Sequence, residues 1–249
     1  MQTPKSARVP TQSVTVVVGL GEVGRPLLEV LKRVHPVEGV DLPPRDVTGP
    51  VEFLHVCYPA EIKDFAVTTA GYVSRYRPEV VIIHSTVPVG TTRAVSELVP
   101  VPVVHSPVRG KHTRMVEELT HYVKFIGTDR LDVGQRVATH LEAAGIKTKM
   151  LSRPEATELA KLSETTYFGL LIAFAQDVDR MARAVGVSYD DVASFYHEIG
   201  YLPRFGFFPG IIGGHCVISN VALLKRRFQS ELLDAIEWSN ELRKAEGRG

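Results

Sequence analysis

The 249-residue sequence predicts an α/β fold, a doubly wound Rossmann-type parallel sheet followed by a smaller all-helical domain, and three observations predict it. An uninterrupted apolar run, SVTVVVG (13–19), leads straight into Gly19-x-Gly21-x-x-Gly24 and then an amphipathic stretch. Strand and helix signals alternate as far as about residue 152. Beyond Arg153 only the helical period remains. The predicted boundaries are 12–152 for the first domain and 153–249 for the second.

The elements follow in order. Residues 13–19 are too apolar to face water on either side, as a central parallel strand requires. A helix is expected over 23–34 and a short strand at GVD (39–41). The segment after Asp41, LPPRDVTGP, is too short and proline-rich for a crossover helix, so a loop takes that helix's place. Further strands are expected at 51–59, 79–86, 101–107, 121–127 and 147–152, with helices near 61–76, 89–98 and 130–143. Cys57 falls inside the 51–59 strand and reads as core. From 155 to 186 runs one long helix whose apolar positions (Leu159, Leu162, Leu170, Ile172, Phe174, Val178, Met181) exceed a single stripe. Its middle is therefore expected to be covered by the domain, a second subunit, or both. Helices near 188–198, 217–228 and 230–245 complete the chain, and the glycine-rich loop 199–214 separates the first two.

Composition narrows the function classes. The chain is 44% hydrophobic and 23% charged, with a formal net charge of +1. Such a balance gives no electrostatic case for nucleic acid or an anionic membrane as the main partner. Two cysteines, Cys57 and Cys216, make neither a disulfide framework nor a metal-ligand spacing, so no metal and a reducing cytoplasm are expected. No apolar run approaches a membrane span. The first dozen residues lack an apolar signal core and read as a loose tail.

Chemistry concentrates in two places. At the first turn, Gly19 and Gly21 allow a tight bend and close approach to a pyrophosphate, with Glu22 and Val23 inside the turn. Gly24 lets the following helix pack on the strand and aim its N-terminus at the phosphates. Asp41, after the second strand, would accept hydrogen bonds from a ribose diol and repel a 2′-phosphate, favouring NAD over NADP. Pro59, Ser85 and Thr86, at the ends of two later strands, complete the expected cofactor set. S-adenosylmethionine, which also uses glycine-rich first turns, is the alternative ligand. The second place is FFPGIIGGHCVISN (207–220), where Cys216 follows a glycine-rich turn with His215 adjacent. Such a setting suits a presented thiol nucleophile.

Four segments in order, VVVGLGEVGRPL, HSTVPVGTTR (84–93), ELAKLSETTY (158–167) and PGIIGGHCVI (209–218), give the chain its resemblance to the nucleotide-sugar 6-dehydrogenase family. That family includes UDP-glucose, UDP-N-acetylmannosamine and GDP-mannose dehydrogenases. The resemblance spans roughly residues 13–228. It implies oxidation of a sugar C6 alcohol by NAD, with a cysteine capturing the aldehyde as a thiohemiacetal and a later thioester cleaved by water. It further implies that Cys216 is the nucleophile and Lys161 the catalytic lysine, with Thr86 near the nicotinamide and the water. Arg109, Thr165, Gly214 and His215 are the substrate residues this implies; Arg204, read from its own planar fork, could bind a phosphate or a carboxylate or form a surface salt bridge. The basic residues Lys111, His112 and Arg114 lie on a loop that in relatives borders the substrate. A homodimer through the long helix is implied as well.

The departures matter equally. Val108 stands where the family has a glutamate, Thr165 where it has an asparagine, and Asn220 where it has a catalytic aspartate. A valine moves no proton, and a neutral amide is no base at ordinary pH. The sequence ends at Gly249, where relatives continue into a third domain. Three readings follow: an NAD-dependent dehydrogenase acting on a nucleotide sugar or a smaller alcohol; a non-oxidising nucleotide-binding homologue serving as a regulatory or partner subunit; and a different reaction on the same scaffold, such as methyl transfer from S-adenosylmethionine.

Overall fold

The computed structural model of the chain describes residues 13–110, 112–198, 200, 208–213 and 216–247. The expected N-terminal tail (1–12), Lys111, Arg204, Gly214 and His215 lie outside the described residues, as does the side chain of His112. The chain divides into two compact units, the second beginning at Ala160.

The first unit is built on a seven-stranded sheet. Its strands are β1 (Val14–Val18), β2 (Val37–Val40), β3 (Val51–Val56), β4 (Val80–Ile83), β5 (Val103–His105), β6 (Lys124–Gly127) and β7 (Thr148–Leu151). They lie in the order β2-β1-β3-β4-β5-β6-β7. The helices between them are α1 (Gly24–Leu31), α2 (Phe65–Tyr76), α3 (Thr91–Leu98), α4 (Met115–His121) and α5 (Leu131–Ala143). Alternation along each strand feeds two cores, one per sheet face. Val17, Leu27, Phe53, Ile82, Ile126 and Leu141 share one core, whereas Val16, Val18, Leu54, Tyr72, Val81 and Ile83 share the other. Each fully buried aliphatic side chain contributes roughly 2 kcal/mol of burial, which is why β1 reads apolar on both faces.

The fold class stands, with local corrections. The sheet is not wholly parallel: β5 pairs antiparallel with β6, while β6 and β7 run parallel. An antiparallel neighbour needs no full crossover, so the short α4, which periodicity did not disclose, suffices as a connection. Because α4 occupies 115–121, β6 starts at Lys124 rather than at 121. Strand β3 ends at Val56 and β4 at Ile83, short of 59 and 86, since the chain leaves the ladder at the C-terminal edge to form loops. Cys57 therefore sits one residue beyond its strand, yet it is buried as expected. Helix α2 starts at Phe65, not 61. Strand β2 ends before Asp41, and the loop after it carries no helix.

The long helix α6 (Pro154–Ala184) runs from the first unit into the second. The second unit also holds α7 (Tyr189–His197), α8 (Val217–Lys225) and α9 (Glu231–Ala245). Gly169 of α6 lets α8 approach: a Cβ there would lie 2.5 Å from Val217 Cγ1. No helix among the described residues is long and apolar enough to cross a membrane.

Candidate active site

The first unit's loops meet at the C-terminal edge of the sheet, where chain order reverses between β1 and β3. This is the switch point at which open α/β sheets bind ligands. Gly19, one residue past β1, holds φ +87°. A Cβ on it would lie 2.7 Å from Tyr58 N, so the turn after β1 presses against the turn after β3. Gly24 is tighter still, since a Cβ there would fall 1.9 Å from Gly19 O. Gly21 is the opposite case: exposed, with nothing within 4 Å of where its Cβ would be. Two glycines are thus demanded by the fold, and the middle one keeps space open.

Above that space α1 begins without a side-chain cap, after the exposed Glu22 and half-buried Val23. A helix start of this kind favours an anion. Asp41 is exposed just past β2, its Oδ1 accepting from Leu42 N at 3.1 Å. Pro59 is exposed beside Tyr58, and the buried Ser85 donates to Tyr58 O at 2.5 Å, joining the ends of β3 and β4. Thr86 follows, half-buried. These residues fit a dinucleotide: an open glycine turn, a helix start and an exposed acid lie along one sheet edge. Cys57 beneath them is inert, because burial pushes its thiol up to about 12.

Of the expected substrate residues, Arg109 is half-buried, its guanidinium 5.6 Å from the Tyr122 ring centroid and 5.7 Å from that of Phe125. Val108, in the glutamate's place, is buried in the core near Met115 and Leu119. Arg114 pairs with Glu118 at 3.1 Å.

In the second unit Cys216 is exposed and forms the N-cap position of α8, its carbonyl accepting from Asn220 N at 3.1 Å. Asn220, one turn into α8 and buried, donates from Nδ2 to Thr165 Oγ1 at 2.7 Å. The Thr165 hydroxyl lies within reach of the carbonyls of Leu162 and Lys161, 3.1 and 3.2 Å away. Thr165 and Asn220 therefore bond each other. Lys161 is half-buried, four residues before Thr165 on α6. Sequence reasoning missed the residues that hold the loop leading to Cys216. Gln176 donates to Gly210 O at 2.6 Å, and Asn240 both accepts from Ile212 N (2.7 Å) and donates to Ile212 O (3.2 Å). An amide inside a helical stretch gives no pattern by which to find it. Among the described residues no group of His, Cys, Asp and Glu is placed to hold a metal ion.

Residues 155–243 match the central domain of the UDP-glucose/GDP-mannose dehydrogenase family. UDP-glucose 6-dehydrogenase of Campylobacter jejuni is 26% identical over 182 residues, 66% of this chain and 44% of that protein. UDP-N-acetyl-D-mannosamine dehydrogenase of Pyrococcus horikoshii is 29% identical over 161 residues, 59% and 38% of the two chains. The chain thus spans less than half of the curated relatives it matches. Among solved structures, UDP-D-ManNAc dehydrogenase from Pyrococcus horikoshii superposes with a TM-score of 0.79 at 19% identity, covering 94% of this chain and 69% of that one. 3-Hydroxyisobutyrate dehydrogenase of Mycobacterium tuberculosis does so with a TM-score of 0.75 at 15% identity, covering 93% and 94%. Those identities speak to the fold alone. Residues 155–243 thus resemble the central domain of the UDP-glucose/GDP-mannose dehydrogenase family, and the chain is similar to nucleotide-sugar dehydrogenases.

Proposed function

We propose that the protein is an NAD-dependent oxidoreductase of a primary alcohol, on a nucleotide sugar or a smaller substrate. The single observation that carries the reading is the open, sterically enforced glycine turn at the switch point, in a chain whose residues 155–243 match a dehydrogenase family's central domain. NAD, when bound, accepts the hydride. Gly19, Gly21, Glu22, Val23 and Gly24 would cradle its phosphates, Asp41 its ribose, and Pro59, Ser85 and Thr86 its nicotinamide half.

Lys161 would stabilise the alkoxide that forms as the hydroxyl proton passes to solvent water, since a fixed charge needs no reorganisation during reaction. Cys216, exposed at a helix start, would add to the aldehyde carbonyl and hold it as a thiohemiacetal. Arg109, Thr165, Arg204, Gly214 and His215 would bind the substrate. Asn220 is assigned a structural part beside Cys216, because its amide is engaged by Thr165 and offers no base. A second hydride transfer would turn the thiohemiacetal into a thioester, and slow hydrolysis of that thioester would limit turnover after a burst of two NADH per site.

The test supplies NAD with a panel of UDP- and GDP-sugars. NADH should form with the wild type, and Cys216→Ala should release an aldehyde that a hydrazine traps. Absence of NADH despite NAD binding would favour the non-oxidising partner-subunit reading, which the buried Val108 and the Thr165–Asn220 pair also suit. Tight binding of S-adenosylmethionine without response to NAD would favour methyl transfer.

A homodimer through α6, in a soluble cytoplasmic setting, belongs to the same proposal. Tyr167, Phe174 and Met181 recur every seven residues on α6 and are 53%, 46% and 59% exposed. An apolar stripe of this length calls for a covering surface, and a second copy of α6 supplies one.

A further inference from the structure

Glu158 is a carboxylate with no solvent exposure, and both of its oxygens are engaged. Oε2 accepts from Gly90 N at 2.6 Å; Oε1 accepts from Thr92 N at 2.8 Å and from Thr92 Oγ1 at 2.6 Å. The preceding residue, Thr157, is also buried, and its hydroxyl meets His105 Nδ1 at 2.8 Å and Pro154 O at 2.8 Å. His105 Nε2 lies 3.1 Å from Ser85 O. Its N–H donates to that carbonyl, which leaves Nδ1 to accept from Thr157. Burial holds this imidazole neutral, with its pKa down at about 3.

Adjacent residues of one helical turn therefore grip both ends of a single short segment, Thr86–Val89. Ser85 is held through His105 and Thr157, and Gly90 and Thr92 are held by Glu158. All of these residues lie in the first unit. Inside the segment Val87 is buried and the Pro88 carbonyl accepts from Thr91 N (3.1 Å) and Thr91 Oγ1 (2.7 Å). A buried ion engaged by three donors is more than a strand-to-helix turn needs. Uncharged caps serve most helix starts, and burying a carboxylate is costly. Burial indeed raises the Glu158 carboxyl above the usual range, against the pull of the Thr92 and Gly90 donors.

We propose that Glu158, together with the Thr157–His105 relay, is a positioning residue that holds the Thr86–Val89 segment in shape for the nicotinamide half of the cofactor. The inference rests on the NAD-binding reading above. A pre-shaped segment binds without first being ordered. The ADP-ribose half, which the Gly19–Gly24 turn and Asp41 receive, gains nothing from this clamp.

That asymmetry provides the test. Dissociation constants for NADH and for ADP-ribose are measured with wild type, Glu158→Gln and Thr157→Val. In Glu158→Gln the amide satisfies Thr92 only by turning its NH2 group on the Gly90 N–H. A buried donor left unpaired in this way should weaken NADH about ten-fold. ADP-ribose should stay within about two-fold of wild type. Thr157→Val, nearly isosteric, should weaken NADH alone by about three-fold and decides the matter if Glu158→Gln does not fold. Unchanged NADH affinity, or equal weakening of both ligands, overturns the positioning role while NAD binding stands. A wild type that binds neither ligand overturns the NAD-binding reading, and the inference falls with it.

Discussion

The two units carry their chemistry in opposite ways. Around the Gly19–Gly24 turn the residue types are forced by backbone contact, with no room for a Cβ at Gly19 or Gly24. Around Cys216 they are set by side-chain pairing: Asn220 bonds Thr165, Gln176 holds Gly210, and Asn240 holds Ile212. Sterically forced positions resist change because every alternative collides. Paired positions drift together, since two exchanges that satisfy each other leave no buried donor unmet. Thr165 and Asn220 are such a pair, each satisfying the other across 55 residues of chain.

The first unit's rigidity is where substitution should cost most. Gly24→Ala places a Cβ against Gly19 O and should cost about 3 kcal/mol or more in a denaturant titration, with loss of NADH binding. Gly21→Ala meets open space and should leave stability within about 0.5 kcal/mol while still weakening NADH. If the two behave alike, the distinction between a packing glycine and a ligand-facing one is wrong.

Acid should separate the units next. His55 lies between His84, Nδ1 to Nε2 at 2.8 Å, and His140, Nε2 to Nε2 at 3.1 Å. His84 Nδ1 lies 2.8 Å from Ser106 O, and Lys124 Nζ donates to the same carbonyl at 2.7 Å. Donation of His84 to Ser106 O fixes the order: His84 accepts from His55 and His55 accepts from His140, so neither His84 nor His55 has a lone pair free for an added proton. Burial lowers all of these rings, and His105 and His140 fall to about 3 from the ordinary 6.5. The folded state then binds fewer protons than the unfolded one below 6.5. Stability is full above that pH and declines as pH falls toward 3, by about 2 kcal/mol at pH 5 for each of His105 and His140. Among the described residues the second unit has no buried histidine. Melts followed from pH 7 to pH 5 should show the first unit's transition falling while the second's stays put. Parallel losses in both would remove this contrast.

Two smaller effects sharpen the second unit. Phe174→Glu sets a charge in the exposed α6 stripe and should cost the dimer about 2 kcal/mol, seen as monomer in sedimentation at micromolar protein. A wild type already monomeric there would deny the dimer. Asn220→Asp removes the donor to Thr165 but lets that hydroxyl donate instead, so stability should fall by only about 1 kcal/mol. The steady-state NADH yield after the first burst should rise if a carboxylate there speeds hydrolysis. An unchanged yield would detach that step from Asn220.

By itself the sequence determined the α/β class, the first turn, the order of nearly all the elements and the approximate extent of α6. Those features rest on local signals: apolar runs, glycine spacing and the helical period, each decided by neighbours along the chain. Only the tertiary structure decided the antiparallel β5–β6 pair, the loops beyond β3 and β4, and the burial of Val108 in the core. It alone showed the Thr165–Asn220 bond and the grip of Glu158 on Gly90 and Thr92, whose partners lie 55 and more than 60 residues apart. A hydrogen bond across such a distance leaves no period in the sequence. A buried glutamate or amide reads there as one more polar residue on a helix, until folding shows which donor it meets.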